Sequence, residues 1–190
     1  MQSRTYKLIL VALFAALTAI GAFLKIPTPV VPFTLQFLFS AYAGIFLGAK
    51  FGFYSQVLYV GMGLAGVPIF ANGGGITYVF QPTFGYLLGF ILSTFLIGFL
   101  TERTKNLNFF RYFLLVYSGL MLIYLAGVSY LYLIFNFYMG QSLSISQAIV
   151  AGFIPYILSD SILTVIVAFT ACKVVPVLKS QGYILAKNTI

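Results

Sequence analysis

The sequence predicts an all-α integral membrane protein: a six-transmembrane-helix bundle with both termini on the cytoplasmic side (N-in/C-in). Three observations lead there. Hydrophobic residues fill 62% of the 190 positions and charged residues only 6%, against roughly 25% charged in a soluble domain. Residues 51–101 and 112–159, stretches of 51 and 48 positions, carry no formal charge, whereas one crossing needs only about 20 apolar residues. Finally, placing Arg4, Lys7, Lys50, Arg103, Lys105, Arg111, Lys173, Lys179 and Lys187 on one side leaves only Lys25 on the other, the bias that marks cytoplasmic loops. Lipid leaves no water for open backbone groups, and the long apolar runs lack the alternation of barrel strands, so the spans are helices.

Residues 1–190 read as a single membrane domain with spans at about 7–24, 33–49, 51–67, 83–101, 110–135 and 147–175. The first follows Arg4 and Lys7, as a secretory signal would. Leu24-Lys25-Ile26-Pro27 is not a small-residue cleavage site, however, so the segment is expected to stay as a helix. It contains Ala12/Ala16 and Ala15/Ala19, two overlapping pairs of small residues four apart. Such pairs let another helix approach closely, either in this chain or in a separate subunit. Three connections fall outside. Ile26–Pro32 carries three prolines and is expected to run as a stiff, extended strut, whereas Gly66–Pro82 contains Asn72-Gly-Gly-Gly75 and is expected to be a pliable cover. The third, Asn136–Ser146, is polar but uncharged and reads as an ordinary helix connection with Ser or Gln near the next N-terminus.

Two acids exist in the chain. Glu102, beside Arg103 at a cytoplasmic end, reads as a solvated interface charge. Asp160 lies within the last span, where an ionised carboxylate costs about 2.5–3.5 kcal/mol even on the lenient insertion scale, and an intramembrane acid is a functional candidate by default. A purely structural role would have it protonated or bonded to Ser159, Ser161 or Tyr156. Lys173 is too distant to pair with it, since thirteen helical positions span roughly 20 Å. Gln36 is the amide early in the second span, serving either a helix–helix hydrogen bond or a cavity. Asn72 alone would be a turn residue. Should the outer loop fold over the bundle, Gln36, Asn72, the amides of Gly73 and Gly74, and Asp160 converge, bordered by Phe33, Tyr78 and Tyr156. That is the general form of a small-molecule pocket.

Enzyme chemistry has little to work with. The chain has no histidine, one cysteine (Cys172), no phosphate-binding loop, no nucleophile elbow and no second buried acid. No metal site, cofactor or nucleic-acid partner is expected, and the net charge of +8 is explained by topology. The chain also contains no ATPase, so energised transport would need another protein.

Several segments resemble the BioY family, the biotin-specific substrate-capturing S components of energy-coupling factor (ECF) transporters. They are Ala12–Phe23, Pro29-Val-Val-Pro-Phe-Thr-Leu-Gln36, Gly66-Val-Pro-Ile-Phe-Ala71 with Gly73–Gly75, and Pro82-Thr-Phe-Gly-Tyr-Leu-Leu-Gly-Phe90. Their order makes the set specific, although each is weak alone. The resemblance implies a prokaryotic plasma-membrane subunit that binds biotin from outside, as cargo rather than cofactor. It would deliver biotin inward with a transmembrane coupling subunit and two cytoplasmic ATPases. It also implies that the alanine face, Ala12, Ala15, Ala16 and Ala19, docks on the coupling subunit. Asp160 matches the acid of the family's last-helix Asp-x-x-Lys pattern, but Leu163 stands where the lysine is expected. Lys25 and the backbone amides of Gly73–Gly75 are the substitutes available to meet a ligand carboxylate. Two other readings compete: a proton- or ion-coupled carrier that titrates Asp160, and a non-transporting scaffold in which Asp160 is structural.

Overall fold

The computed structural model describes residues 4–28 and 30–181, so Pro29 of the resembling segment and Lys187 of the charge pattern lie outside the described residues. The elements are α1 (Arg4–Phe23), β1 (Lys25–Ile26), β2 (Phe33–Thr34), α2 (Gln36–Leu64), a 3₁₀ turn at Ile76–Phe80, α3 (Phe84–Arg103), α4 (Phe109–Leu133) with a π turn at Ile134–Tyr138, α5 (Ile145–Gly152) and α6 (Ile154–Ser180). Five helices are long and apolar enough to cross a membrane: α1, α2, α3, α4 with its π turn, and α6.

The difference from six expected spans arises in α2, where segments 33–49 and 51–67 join. Gly48 interrupts the helix at φ 76° and ψ −178°, a conformation that side chains disfavour and glycine accepts. Beyond it the chain runs back along itself, since Gln36 Nε2 donates to the Tyr59 hydroxyl at 2.7 Å. In a straight helix those residues would be about 34 Å apart. The arms, residues 36–47 and 49–64, are therefore antiparallel. The turn is pressed against α3: a Cβ on Gly98 would lie 2.4 Å from the Ala49 nitrogen. Glu102 closes the arrangement by accepting the Ala49 N–H at 3.2 Å, one of the orphan donors of a helix start. This acid is thus a backbone cap rather than only a solvated charge.

The expected last span, 147–175, is also two helices. Ser144 opens α5 with a capping box to Gln147, which matches the expected polar helix start. The chain then breaks at Phe153, and Pro155 enters the first turn of α6, where its missing N–H costs nothing.

The two connections expected to be a strut and a pliable cover differ from both. Lys25 pairs with Thr34 and Ile26 with Phe33, so the proline-rich segment doubles back as a small hairpin. The Gly66–Pro82 segment is anchored by Phe70 and Tyr78, both buried. Phe70 stands edge-on to Tyr59, with ring centroids 5.5 Å apart, and its ring fills the space beside Gly63, where a Cβ would lie 2.1 Å from it.

Contacts sort the two ends of the bundle. Lys7 lies 5.3 Å over the Phe51 ring, close to the Gly48 turn and the α3 terminus with Glu102. At the opposite end Lys25 reaches Ala71, Thr28 meets Tyr156 and Tyr130 donates to Val79 O.

The anchored loop gives a stability prediction. Gly63→Ala is expected to lose about 1–3 kcal/mol by overpacking against Phe70. Gly61→Ala, whose Cβ meets nothing within 4 Å, should be neutral or slightly stabilising. Thermal unfolding of the two variants in detergent checks the contrast.

Candidate functional site

A narrow cleft opens at the Lys25 end, enclosing about 600 Å³ of empty space with its mouth included. Its walls are Phe33, Phe37, Phe90, Leu120 and Ile123, and polar groups converge from β2, α2, the 3₁₀ turn, α3, α4 and α6. The first contribution comes from the start of α2. The Gln36 side chain accepts from Thr34 Oγ1 at 2.9 Å and donates to Tyr59, whose hydroxyl donates to Ile69 O at 3.1 Å. One amide thereby ties the hairpin, the returning arm and the outer loop. Both readings of Gln36 hold, because this helix–helix bond borders the cleft.

The second contribution comes from α6. Tyr156 and Asp160 are four apart and so share a face. Tyr156 shares a hydrogen bond of 2.8 Å with Thr28 Oγ1, which fixes the hairpin tip on α6. Asp160 is buried, with 9% exposure, and its Oδ2 accepts from the Tyr124 hydroxyl of α4. Ser161 is occupied elsewhere, donating to Ile157 O at 2.6 Å, so neither it nor Tyr156 is the acid's partner. Leu163 is buried, and among the described residues no cation joins Asp160. Its other oxygen, Oδ1, accepts nothing among the described residues yet is not sealed off. A buried carboxylate in this state is a strong acceptor waiting for a donor.

Two tyrosines complete the polar lining. Tyr86 of α3 donates to Gly152 O at 2.9 Å, taking up a carbonyl at the α5–α6 break, and Tyr78 accepts from Thr83 Oγ1 at 3.1 Å. Burial raises the Tyr78 pKa, so this hydroxyl stays neutral at physiological pH.

Of the ligand candidates, Phe33, Gln36, Tyr78, Tyr156 and Asp160 line the cleft. Asn72, Gly73 and Gly74 do not; Ala71 takes their place. Asn72 is exposed and turns its Oδ1 to Lys25 at 3.4 Å. The Gly73 amide donates to Phe70 O, and a Cβ on Gly74 would lie 2.3 Å from Val67 O, so both glycines serve the fold of the loop. Sequence reasoning missed Tyr124, Tyr86 and Tyr59. Nothing in their spacing distinguishes them among 14 tyrosines. The alanine face also divides, because Ala15 and Ala19 are buried in the bundle while Ala12 and Ala16 are exposed.

A wider groove of about 1040 Å³ between α4 and α5 is lined mainly by apolar groups such as Leu125, Val128, Leu133 and Ile149 and contains no ionisable acid. Among the described residues no three His, Cys, Asp or Glu side chains gather as a metal site would require.

Comparison with known proteins follows the same lines. The BioY family model matches residues 1–180. A probable biotin transporter BioY from Lysinibacillus sphaericus is 44% identical over 179 residues, covering 94% of this chain and 91% of that protein. The biotin transporter BioY of Thermotoga maritima is 39% identical over 168 residues, covering 88% and 94%. A crystal structure of the S-component for biotin from an ECF-type ABC transporter superposes with a TM-score of 0.75 at 22% identity, covering 92% of this chain and 94% of that one, which supports the helical fold. With its family pattern running through the cleft and almost the whole described bundle, this chain belongs to the BioY family.

Proposed function

We propose that this protein captures biotin in the Asp160 cleft and passes it inward as the substrate-binding subunit of an ECF transporter, acting as a carrier component and not as an enzyme. The observation that carries the reading is the buried Asp160 with one oxygen held by Tyr124 and the other open to an aromatic cleft. Biotin's ureido ring has two N–H donors and a carbonyl, so an N–H can meet Asp160 Oδ1. Its sulfur ring and valeryl chain suit Phe33, Phe37 and Phe90. Gln36, Tyr78 and Tyr156 shape the polar boundary, while Asn72, Gly73 and Gly74 act in the lid above rather than in the wall.

In this reading the whole chain is one membrane domain of the prokaryotic cell membrane. Each arm of α2 counts as a crossing, which makes six and leaves both ends cytoplasmic; the basic end faces inward and the cleft outward. The arms are short, about 18 and 24 Å at 1.5 Å per residue, below the roughly 30 Å of bilayer hydrocarbon. Exposed Ala12 and Ala16 supply a close-approach surface for the transmembrane coupling subunit, which with two cytoplasmic ATPases would drive release.

Calorimetric titration of detergent-solubilised, ligand-stripped protein should give saturable binding of biotin near one per chain and none of thiamine or riboflavin. Asp160→Asn is expected to weaken biotin by about 1.5–3 kcal/mol, a charged hydrogen bond, with the fold retained; wild-type affinity in the folded variant removes Asp160 from the site. Ala12→Leu and Ala16→Leu should bind biotin normally yet lose ATP-dependent uptake in vesicles containing the coupling module, whereas Ala15→Leu should destabilise the bundle itself. Uptake that follows a pH gradient without the ATPases would favour an ion-coupled carrier instead.

A further inference from the structure

We infer that Lys25 is the carboxylate-binding residue of the cleft, exchanging a contact with the outer loop for the anionic end of the ligand. This assignment rests on the biotin reading above and concerns the end of the ligand remote from Asp160.

Charge makes the need for a cation plain. Among the described residues Asp160 is the only carboxylic acid in the cleft wall, and it has no cationic partner there. An anionic ligand entering such a space is repelled unless a positive group stands elsewhere along it. Leu163, one turn from Asp160 on α6, is aliphatic. Two of the three glycine amides are already used, with Gly73 N–H given to Phe70 O and Gly75 N–H to Gly63 O.

Two independent elements put Lys25 at the rim. Its strand partner Thr34 lines the cleft, and its ammonium donates to the carbonyl of Ala71, which lines the cleft as well. Its second contact is Asn72 Oδ1 at 3.4 Å. Both partners are neutral acceptors, and among the described residues no carboxylate pairs with this lysine. Its charge is therefore uncompensated, on an exposed flexible stem able to swing from one oxygen to another. This contact pins the hairpin to the loop, and a bound carboxylate offers the same ammonium a charged acceptor, roughly twice as strong as a neutral one.

The test uses the full-length protein and two ligands of nearly equal shape, biotin and biotinamide, in which a neutral carboxamide replaces the carboxylate. Affinities are measured by titration for wild type, Lys25→Met and Lys25→Arg. The readout is the ratio of the two affinities, because simple loss of the Ala71 contact alters both ligands alike. Wild type should prefer biotin by about tenfold, Lys25→Met should bring the ratio close to one by weakening biotin selectively, and Lys25→Arg should retain most of the preference. An unchanged ratio in Lys25→Met, or equal weakening of both ligands, overturns the assignment and leaves biotin binding itself intact. Failure of the folded wild type to bind either ligand overturns the biotin reading and this one with it.

Discussion

Holding a carboxylate away from water inside an apolar bundle is expensive, and the Lys25 end of this molecule is arranged around that cost. Asp160 sits on the long helix α6, and the group that steadies it is a hydroxyl on α4. The bond therefore fixes two spans against each other as well as the acid. Tyr124 also stands edge-on to Phe153, with ring centroids 4.8 Å apart, at the residue where α5 gives way to α6. Tyr86 reaches the Gly152 carbonyl at the same break, so a backbone discontinuity, an acid and two tyrosines form one connected unit. Among the described residues no lysine or arginine neutralises Asp160, so the unit holds its acid by a hydroxyl rather than by an internal ion pair.

The opposite end follows a different constraint. Backbone groups in hydrocarbon need internal partners, and a one-residue reversal at Gly48 exposes few of them. Glu102 takes the Ala49 N–H, while Asn108 caps α4 by accepting the Arg111 amide at 2.9 Å and the Arg111 guanidinium donates to Lys105 O and Asn106 O. Short, self-satisfied turns leave this end compact, with its positive charge close to the helix termini. The two ends are thus specialised, one for holding polar groups open and the other for closing them.

Much of this was legible in the residues, for identifiable reasons. Asp160 stood out because a lone acid in a charge-free span has no ordinary explanation, and the apolar length and the basic asymmetry announced a helical bundle. The two arms of α2 were separable because Gly48-Ala-Lys50 interrupts the apolar run. Partners were not legible. Tyr124 looks like any interfacial aromatic until the packing of α4 on α6 is known, and the Phe153 break went unread although Pro155 offered a signal. Strands of two residues carry no periodicity, so the hairpin at Lys25 was invisible. The alanine pairs differ by three positions, about 60° around the helix, and only the docked helix reveals that Ala15 and Ala19 look inward while Ala12 and Ala16 do not.

The Tyr59 hydroxyl accepts from Gln36 and donates to Ile69 O. Lifting the outer loop breaks the Ile69 bond, a net cost of about 1 kcal/mol, but leaves the Gln36 amide held by Thr34 and Tyr59. The floor of the cleft can stay ordered while its roof moves. Withdrawing Phe70 from beside Gly63 belongs to the same movement and leaves the Gln36 bonds untouched. A substitution at Phe70 can therefore loosen the anchoring of the loop while the Gln36 bonds beneath it persist.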